Sequence, residues 1–245
     1  MRFIKRSVEV PAPSPLPVHV AVIMDGNRRW ARHHGLPIVE GYRRGIGSLR
    51  ELTRSCRDYG VPVLTAYGFS TENWKRDADE VSLLFDVCCA FARTEAPGLR
   101  RDGVRVRLLG KIDSLPRAPR EALEHLVDVT SGCTDVTLNL AVNYSGRSEM
   151  LEAVRGVARD VQTGVLDPLT IDESTIESRL YTAGMPDPDL LIRPGGEYRI
   201  SNFLLYQLAY TELWVSEVHW PDFDRSHFEA ALIAYQQRQR RFGGR

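Results

Sequence analysis

An alternation constrains this chain more than any other feature. Short runs of apolar, β-branched residues recur along its 245 residues, and longer stretches with helical spacing lie between them. Candidate strands are 20–24, 61–68, 104–109, 135–142, 189–193 and 213–218. Helical spacing is carried by Leu84, Val87, Cys88 and Phe91, by Met150, Ala153, Val154, Val157, Ala158 and Val161, and by Phe228, Ala231, Leu232 and Tyr235. Strands that take turns with helices are joined by right-handed crossovers, which build a mostly parallel sheet with helices on its faces. The expectation is a single-domain α/β fold with a mostly parallel central sheet over residues 18–245. A proline-rich flexible arm, residues 1–17, precedes it.

In an open parallel sheet, ligands sit beyond the carboxyl ends of the strands, so the residues that follow each strand carry the functional information. Asp25-Gly26-Asn27-Arg28-Arg29, with Trp30 behind them, follows the first strand. The second is followed by Phe69-Ser70-Thr71-Glu72-Asn73-Trp74-Lys75-Arg76, and the fourth by Asn143-Tyr144-Ser145-Gly146-Arg147. Arg193 closes the fifth, ahead of Pro194-Gly195-Gly196-Glu197-Tyr198-Arg199-Ile200-Ser201-Asn202. One such loop is ordinary turn chemistry. Four of them gather arginines, amides, hydroxyls and glycines on one edge, around one carboxylate able to bind a metal. Arginine pairs match the adjacent anionic groups of a diphosphate, and glycines let backbone N–H groups approach phosphate oxygens.

Other phosphate and hydrolase chemistries find no support. There is no GxxxxGK[ST] loop, and Gly45-Ile46-Gly47 lacks the third glycine of a dinucleotide fingerprint and lies in a helical stretch. No DDxxD pattern appears, and His19, His125, His219 and His227 match no nucleophile motif. Basic and acidic residues number 32 each, so the balance gives no reason to expect a nucleic-acid partner. Cys56, Cys88, Cys89 and Cys133 show neither CxxC nor zinc spacing and read as reduced thiols. No apolar run approaches ~18 residues, and the first residues lack the apolar segment of a signal peptide. A cytoplasmic location is the expectation.

The segments HVAVIMDGNRRWA, YGFSTENWKR, NYSGR, PDLLIRPGGEYRISNFLLYQLAYTELW, WPDF and RRFGG, in this order, resemble the cis-prenyltransferases, the undecaprenyl diphosphate synthase family. The likeness covers about residues 18 to 244. It implies a homodimer and an elongated hydrophobic tunnel, with membrane contact at most peripheral, through a lipid product. It also implies a Mg²⁺-dependent condensation of isopentenyl diphosphate with an allylic diphosphate, farnesyl or geranyl diphosphate, giving a Z-polyprenyl diphosphate. By the same resemblance, Asp25 anchors metal and diphosphate, and Glu212 completes the metal shell. Gly26, Arg28, Arg29 and Trp30 belong to the allylic diphosphate. Asn27 and Ser70 assist proton removal, and Asn73, Trp74 and Arg76 close the site. Arg193, Arg199 and Ser201 bind isopentenyl diphosphate, and the tail residues Arg241 and Gly243 reach the partner subunit's site.

Gly68, a small residue before Phe69, resembles that of the members making longer chains. Two positions depart from the family pattern: Ile38, where an arginine is usual, and Tyr42, where a histidine is. They bear on the allylic donor and leave room for an irregular or short-chain synthase of specialised metabolism. A non-catalytic partner subunit fits worse, because Asp25, Arg29, Arg193, Arg199 and Glu212 are all retained.

Overall fold

The computed structural model describes residues 15–238. The chain runs through β1 (His19–Ile23), α1 (Asn27–His33), α2 (Ile38–Tyr59), β2 (Val63–Ser70), α3 (Ala78–Arg101) and β3 (Val104–Leu109). It continues with α4 (Arg117–Thr130), β4 (Val136–Tyr144), α5 (Gly146–Gln162), α6 (Glu173–Glu177), β5 (Leu190–Pro194), β6 (Glu212–Ser216) and α7 (Arg225–Gln236). The strands form one sheet in the order β3-β4-β2-β1-β5-β6, and every neighbouring pair is parallel. Each strand overlaps an expected one, with a useful difference at two ends. β2 continues through Phe69 and Ser70, and β4 through Asn143 and Tyr144, so residues expected in loops complete the ladder.

β1 is buried along its whole length, as a central strand covered on both faces must be. Val20 and Val22 face the larger core, which Leu52, Phe91, Leu123 and Phe228 of the long helices fill. Ala21 and Ile23 face a smaller cluster with Tyr67, Tyr144, Phe203 and Leu204. On that side Glu149 of α5 accepts the Tyr144 hydroxyl and the Tyr181 N–H, which ties α5 and the 180s turn to the sheet. The apolar stripe expected on α5 is narrower than its spacing suggests: Ala153 and Val157 are buried, but Val154 is 52% exposed. Before β1, Leu16 already packs against the larger core and Pro17 is buried, although both were expected in the arm.

His19, fully buried on the smaller face, is the fold's least ordinary core residue. Its Nδ1 lies 2.7 Å from the Pro186 carbonyl, which can only accept, so Nδ1 carries the proton. Nε2 then accepts the Thr65 hydroxyl at 2.7 Å, and Thr65 in turn accepts Asn139 Nδ2 at 2.9 Å. Burial lowers the His19 pKa to about 4, against smaller opposing effects from the Pro186 hydrogen bond and Asp189. In the unfolded chain the ring titrates at its ordinary value of 6.5. Its contribution to stability is therefore complete above pH 6.5 and is lost as pH falls from 6.5 towards 4, amounting to about 3 kcal/mol at most. Denaturant unfolding at pH 7, 5.5 and 4.5 should show this decline in the wild type and a shallower one in His19→Gln. Equal slopes would contradict the burial of a neutral ring.

Candidate active site

The turn after β1 is shaped by two close approaches. Gly26 has φ 98, and a Cβ there would lie 2.8 Å from the His219 ring, so both backbone and space call for glycine. On α2, a Cβ at Gly45 would sit 2.6 Å from Asn27 Oδ1 and 2.8 Å from Trp220, so the missing side chain lets the helix press against the turn. This packing holds the Asp25–Arg29 segment beyond the end of β1, beside the end of β5.

Asp25 and Arg193 form the centre. Arg193 Nη2 donates to Asp25 Oδ2 at 2.8 Å, and its side chain is only 5% exposed. Its Nη1 donates to Ser201 Oγ at 3.0 Å and to the Arg199 carbonyl, while Nε is buried without a partner. Asp25 Oδ1 accepts the Gly26 N–H at 2.7 Å and lies 3.2 Å from Arg29 Nη2. Burial works against charge on this carboxyl. The Arg193 hydrogen bond and charge, Arg29 and the Gly26 N–H together outweigh it and hold the pKa below the usual carboxylate value. Asp25 is ionised at neutral pH.

Two further glutamates organise the surrounding arginines. Glu80 accepts the Tyr42 hydroxyl and Arg76 Nη1, both at 3.0 Å, and pairs with Arg28 at 3.2 Å. Burial pushes the Tyr42 phenol up to about 12, so it stays a proton donor. Glu197 pairs with Arg199 and, at 3.7 Å, with Arg29; Arg29 also donates to the Gly195 carbonyl at 2.7 Å. Sequence reasoning missed Glu80. Its signal was the spacing of four from Arg76 at the start of a helix, which fits many surface pairs equally well.

These groups border a cavity of about 530 Å³. Its polar end is lined by Asp25, Gly26, Asn27, Arg28, Arg29, Tyr42, Ser70, Asn73, Arg76, Arg193, Arg199 and Ser201. Its other end is apolar, with Leu49, Phe69, Phe85, Phe91, Leu123 and Val142. Gly68 opens onto it, and a Cβ there would meet only ordinary contacts at 3.5 Å and beyond. Ser70 and Asn73 are locked together, the Asn73 amide oxygen accepting the Ser70 N–H at 2.9 Å. Asn27 Oδ1 is buried without a partner and is directed at Gly45, while its Nδ2 donates to the Met24 carbonyl at 3.0 Å.

Three expected site residues lie elsewhere. Trp30 is 9% exposed and stacks on His34 at 4.3 Å, away from the cavity lining. Trp74 packs behind the wall on Phe69 and Phe85. Glu212 is level with Leu190 and therefore with Val20, at the amino end of the parallel strands. Five residues separate that level from Asp25, about 16 Å along the sheet, and Glu212 pairs instead with Arg238 at 2.7 Å. Within one chain the two carboxylates cannot share a metal. Ile38 does not line the cavity, whereas Tyr42 does. Arg241 and Gly243 lie outside the described residues.

Among the described residues no group of three or more His, Cys, Asp or Glu could hold a metal ion. Mg²⁺, however, is commonly bound by one or two carboxylates together with substrate phosphates. An ionised Asp25 at the mouth of an arginine-lined cavity fits that mode. No described helix is long and apolar enough to cross a membrane.

Residues 23–243 match the family model described as "Putative undecaprenyl diphosphate synthase". The chain is 52% identical to an isoprenyl transferase of Heliobacterium mobile, over 95% of this chain and 89% of that one. It is 45% identical to a ditrans,polycis-undecaprenyl-diphosphate synthase, (2E,6E)-farnesyl-diphosphate specific, of Lactiplantibacillus plantarum, over 95% and 91% of the two chains. Among solved structures, lavandulyl diphosphate synthase from Lavandula x intermedia, in complex with dimethylallyl diphosphate, superposes with a TM-score of 0.90. That likeness is at 34% identity and covers 93% of this chain and 98% of the other.

Proposed function

Because the chain belongs to the undecaprenyl diphosphate synthase family of cis-prenyltransferases, we propose that it condenses isopentenyl diphosphate with farnesyl or geranyl diphosphate, in a Mg²⁺-dependent reaction, to give a Z-polyprenyl diphosphate. The cavity carries this reading. Its charged end suits two diphosphates, and its apolar end suits a hydrocarbon tail that lengthens away from them.

Arg28, Arg29 and Arg76 bind the allylic diphosphate, and Arg193, Arg199 and Ser201 bind the isopentenyl diphosphate. Asp25 lies between the two sets and would hold the cation. Mg²⁺ on a diphosphate supplies charge stabilisation for the leaving group. The arginines add to it, because negative charge on the diphosphate grows as the allylic C–O bond breaks, and donors aimed in advance act most strongly there. The new C–C bond joins the two units, and a proton leaves the former isopentenyl unit towards the diphosphate end of the site. Ser70, locked to Asn73, is placed at that end. Asn27 shares it, although its Oδ1 must turn from Gly45 before it can accept a hydrogen bond there, and the proton itself passes to a diphosphate oxygen. The apolar wall keeps water from the allylic cation.

The protein works in the cytoplasm as a homodimer. β6 is an edge strand that carries exposed Leu213 and is preceded by exposed Tyr210, and two-fold dimers are the commonest oligomers. A second reading, the joining of two allylic units, draws on the likeness to lavandulyl diphosphate synthase and on Tyr42 in the cavity wall. Incorporation of labelled isopentenyl diphosphate separates the two. With farnesyl or geranyl diphosphate it should proceed, stop in excess EDTA and recover on adding Mg²⁺. Incorporation undiminished by EDTA would remove the metal from the account, and failure of every primer would remove elongation.

A further inference from the structure

The Asn143–Arg147 stretch closes β4 and opens α5, and the reaction described above gives it no task. We propose that Asn143 is a positioning residue of the allylic half-site, acting through Trp74. β2 and β4 slip out of register twice: Tyr67 faces Ala141, Phe69 faces Val142, and Ser70 faces Tyr144. Gly68 is the extra residue on one strand and Asn143 the extra residue on the other. The two bulges cancel in register, and they fall on either side of the Phe69–Val142 pair of the cavity wall, just before Ser70, where such irregularities re-aim side chains.

Asn143 has φ 50, in the left-handed region that asparagine tolerates better than most residues. It is 4% exposed, and its side chain is fully engaged. Oδ1 accepts Trp74 Nε1 at 2.8 Å, and Nδ2 donates to the Lys111 carbonyl and to Ser114 Oγ, both at 2.9 Å. One side chain thus ties the turn after β2 to the segment after β3. Asn143 does not line the cavity, so any effect on substrate must pass through what it holds.

What it holds is the 3-10 turn Thr71–Lys75. The Trp74 ring packs on Phe69 at 5.5 Å and on Phe85 at 5.3 Å, both part of the cavity wall. Fixing the indole N–H fixes the rotation of this turn, and with it the directions of Asn73 and of Arg76, the next residue after it. The rest of the stretch braces the same corner. Asn202 Nδ2 donates to Ser145 Oγ at 2.8 Å and to Glu72 Oε1 at 2.7 Å, and Gly146 N donates to the Asn202 carbonyl at 2.8 Å.

Two substitutions break the same bond in different ways. W74F keeps an aromatic ring beside Phe69 and Phe85 but is smaller and has no N–H to donate, and N143G keeps the left-handed backbone while removing the side chain. Each should raise KM for the allylic diphosphate about tenfold, as for one lost hydrogen bond, and leave KM for isopentenyl diphosphate within about twofold. The double variant should be no worse than the poorer single one, because both act on one contact. A general loss of stability would not select one substrate. W74F with unchanged allylic KM, or single effects that multiply in the double variant, would overturn the proposal; W74F keeps it testable should N143G fold poorly. The proposal rests on the assignment of Arg76 to the allylic half-site, so R76A is measured beside it. If R76A leaves the allylic KM unchanged, the half-site reading fails and Asn143 loses its role with it. If R76A raises that KM and W74F does not, the Asn143 proposal alone fails.

Discussion

Asp25→Ala should lower turnover by at least about 10³-fold, as expected when a group that supports a catalytic cation and a charged leaving group is removed. The side chain is the carboxylate on which Arg193 and Arg29 converge; among the described residues Glu197 pairs with Arg29 and not with Arg193. The variant also leaves Arg193 buried without its counter-ion, so some loss of stability accompanies the loss of activity. Circular dichroism separates the two effects, since the fold should persist. The pH dependence of the wild type follows from the lowered pKa of Asp25. Its contribution to stability is present above the unfolded value of 3.8 and is lost only as pH falls through the still lower folded value. Asp25→Asn keeps the shape and loses the charge, and it should be nearly as impaired. Near-wild-type turnover in either variant would show that the carboxylate is a turn residue and nothing more.

Arg193→Ala should cost about 10–10²-fold in kcat/KM, the size expected for lost charge-assisted hydrogen bonds to a bound diphosphate, with the loss concentrated in KM for isopentenyl diphosphate. Lysine should rescue little of it. The guanidinium reaches Asp25 with one nitrogen and Ser201 and the Arg199 carbonyl with the other, and a single ammonium on a flexible stem cannot span that fork. A second signature is available. Without Arg193, burial acts on Asp25 with less opposition, so its pKa rises and the acid limb of the rate profile moves to higher pH. Full rescue by lysine, or an acid limb that does not move, would contradict the fork.

Much of this was legible in the sequence, for a physical reason. Buried parallel strands must be apolar and β-branched along their length, so Val20–Ile23 and Leu190–Ile192 announce themselves. Ligands gather at the carboxyl ends of such strands, so Asp25, Arg193, Arg199 and Ser201 could be grouped before any coordinates were known. The same rule tells against Glu212. It precedes the strand expected at 213–218, and a residue at the amino end of a parallel strand faces away from the site. A motif placed it in the metal shell, and the register of β5 and β6 removes it within the chain. The aromatic residues failed differently. Trp30 and Trp74 neighbour site residues in sequence, yet helix geometry turns one onto His34 and the Asn143 hydrogen bond turns the other behind the wall. Neither rotation follows from composition or spacing. Glu80 and the paired bulges at Gly68 and Asn143 were equally hidden, because each depends on a partner far along the chain.

Elongation of an isoprenoid chain with cis geometry is the activity assigned to this cavity. Sizing the products formed from labelled isopentenyl diphosphate and farnesyl diphosphate, and assigning their new double bonds by NMR, tests it most directly. The expected product is a diphosphate longer than the primer by whole isopentenyl units, with every added double bond Z. A product formed from dimethylallyl diphosphate alone, without consumption of isopentenyl diphosphate, or added double bonds of E geometry, would contradict it.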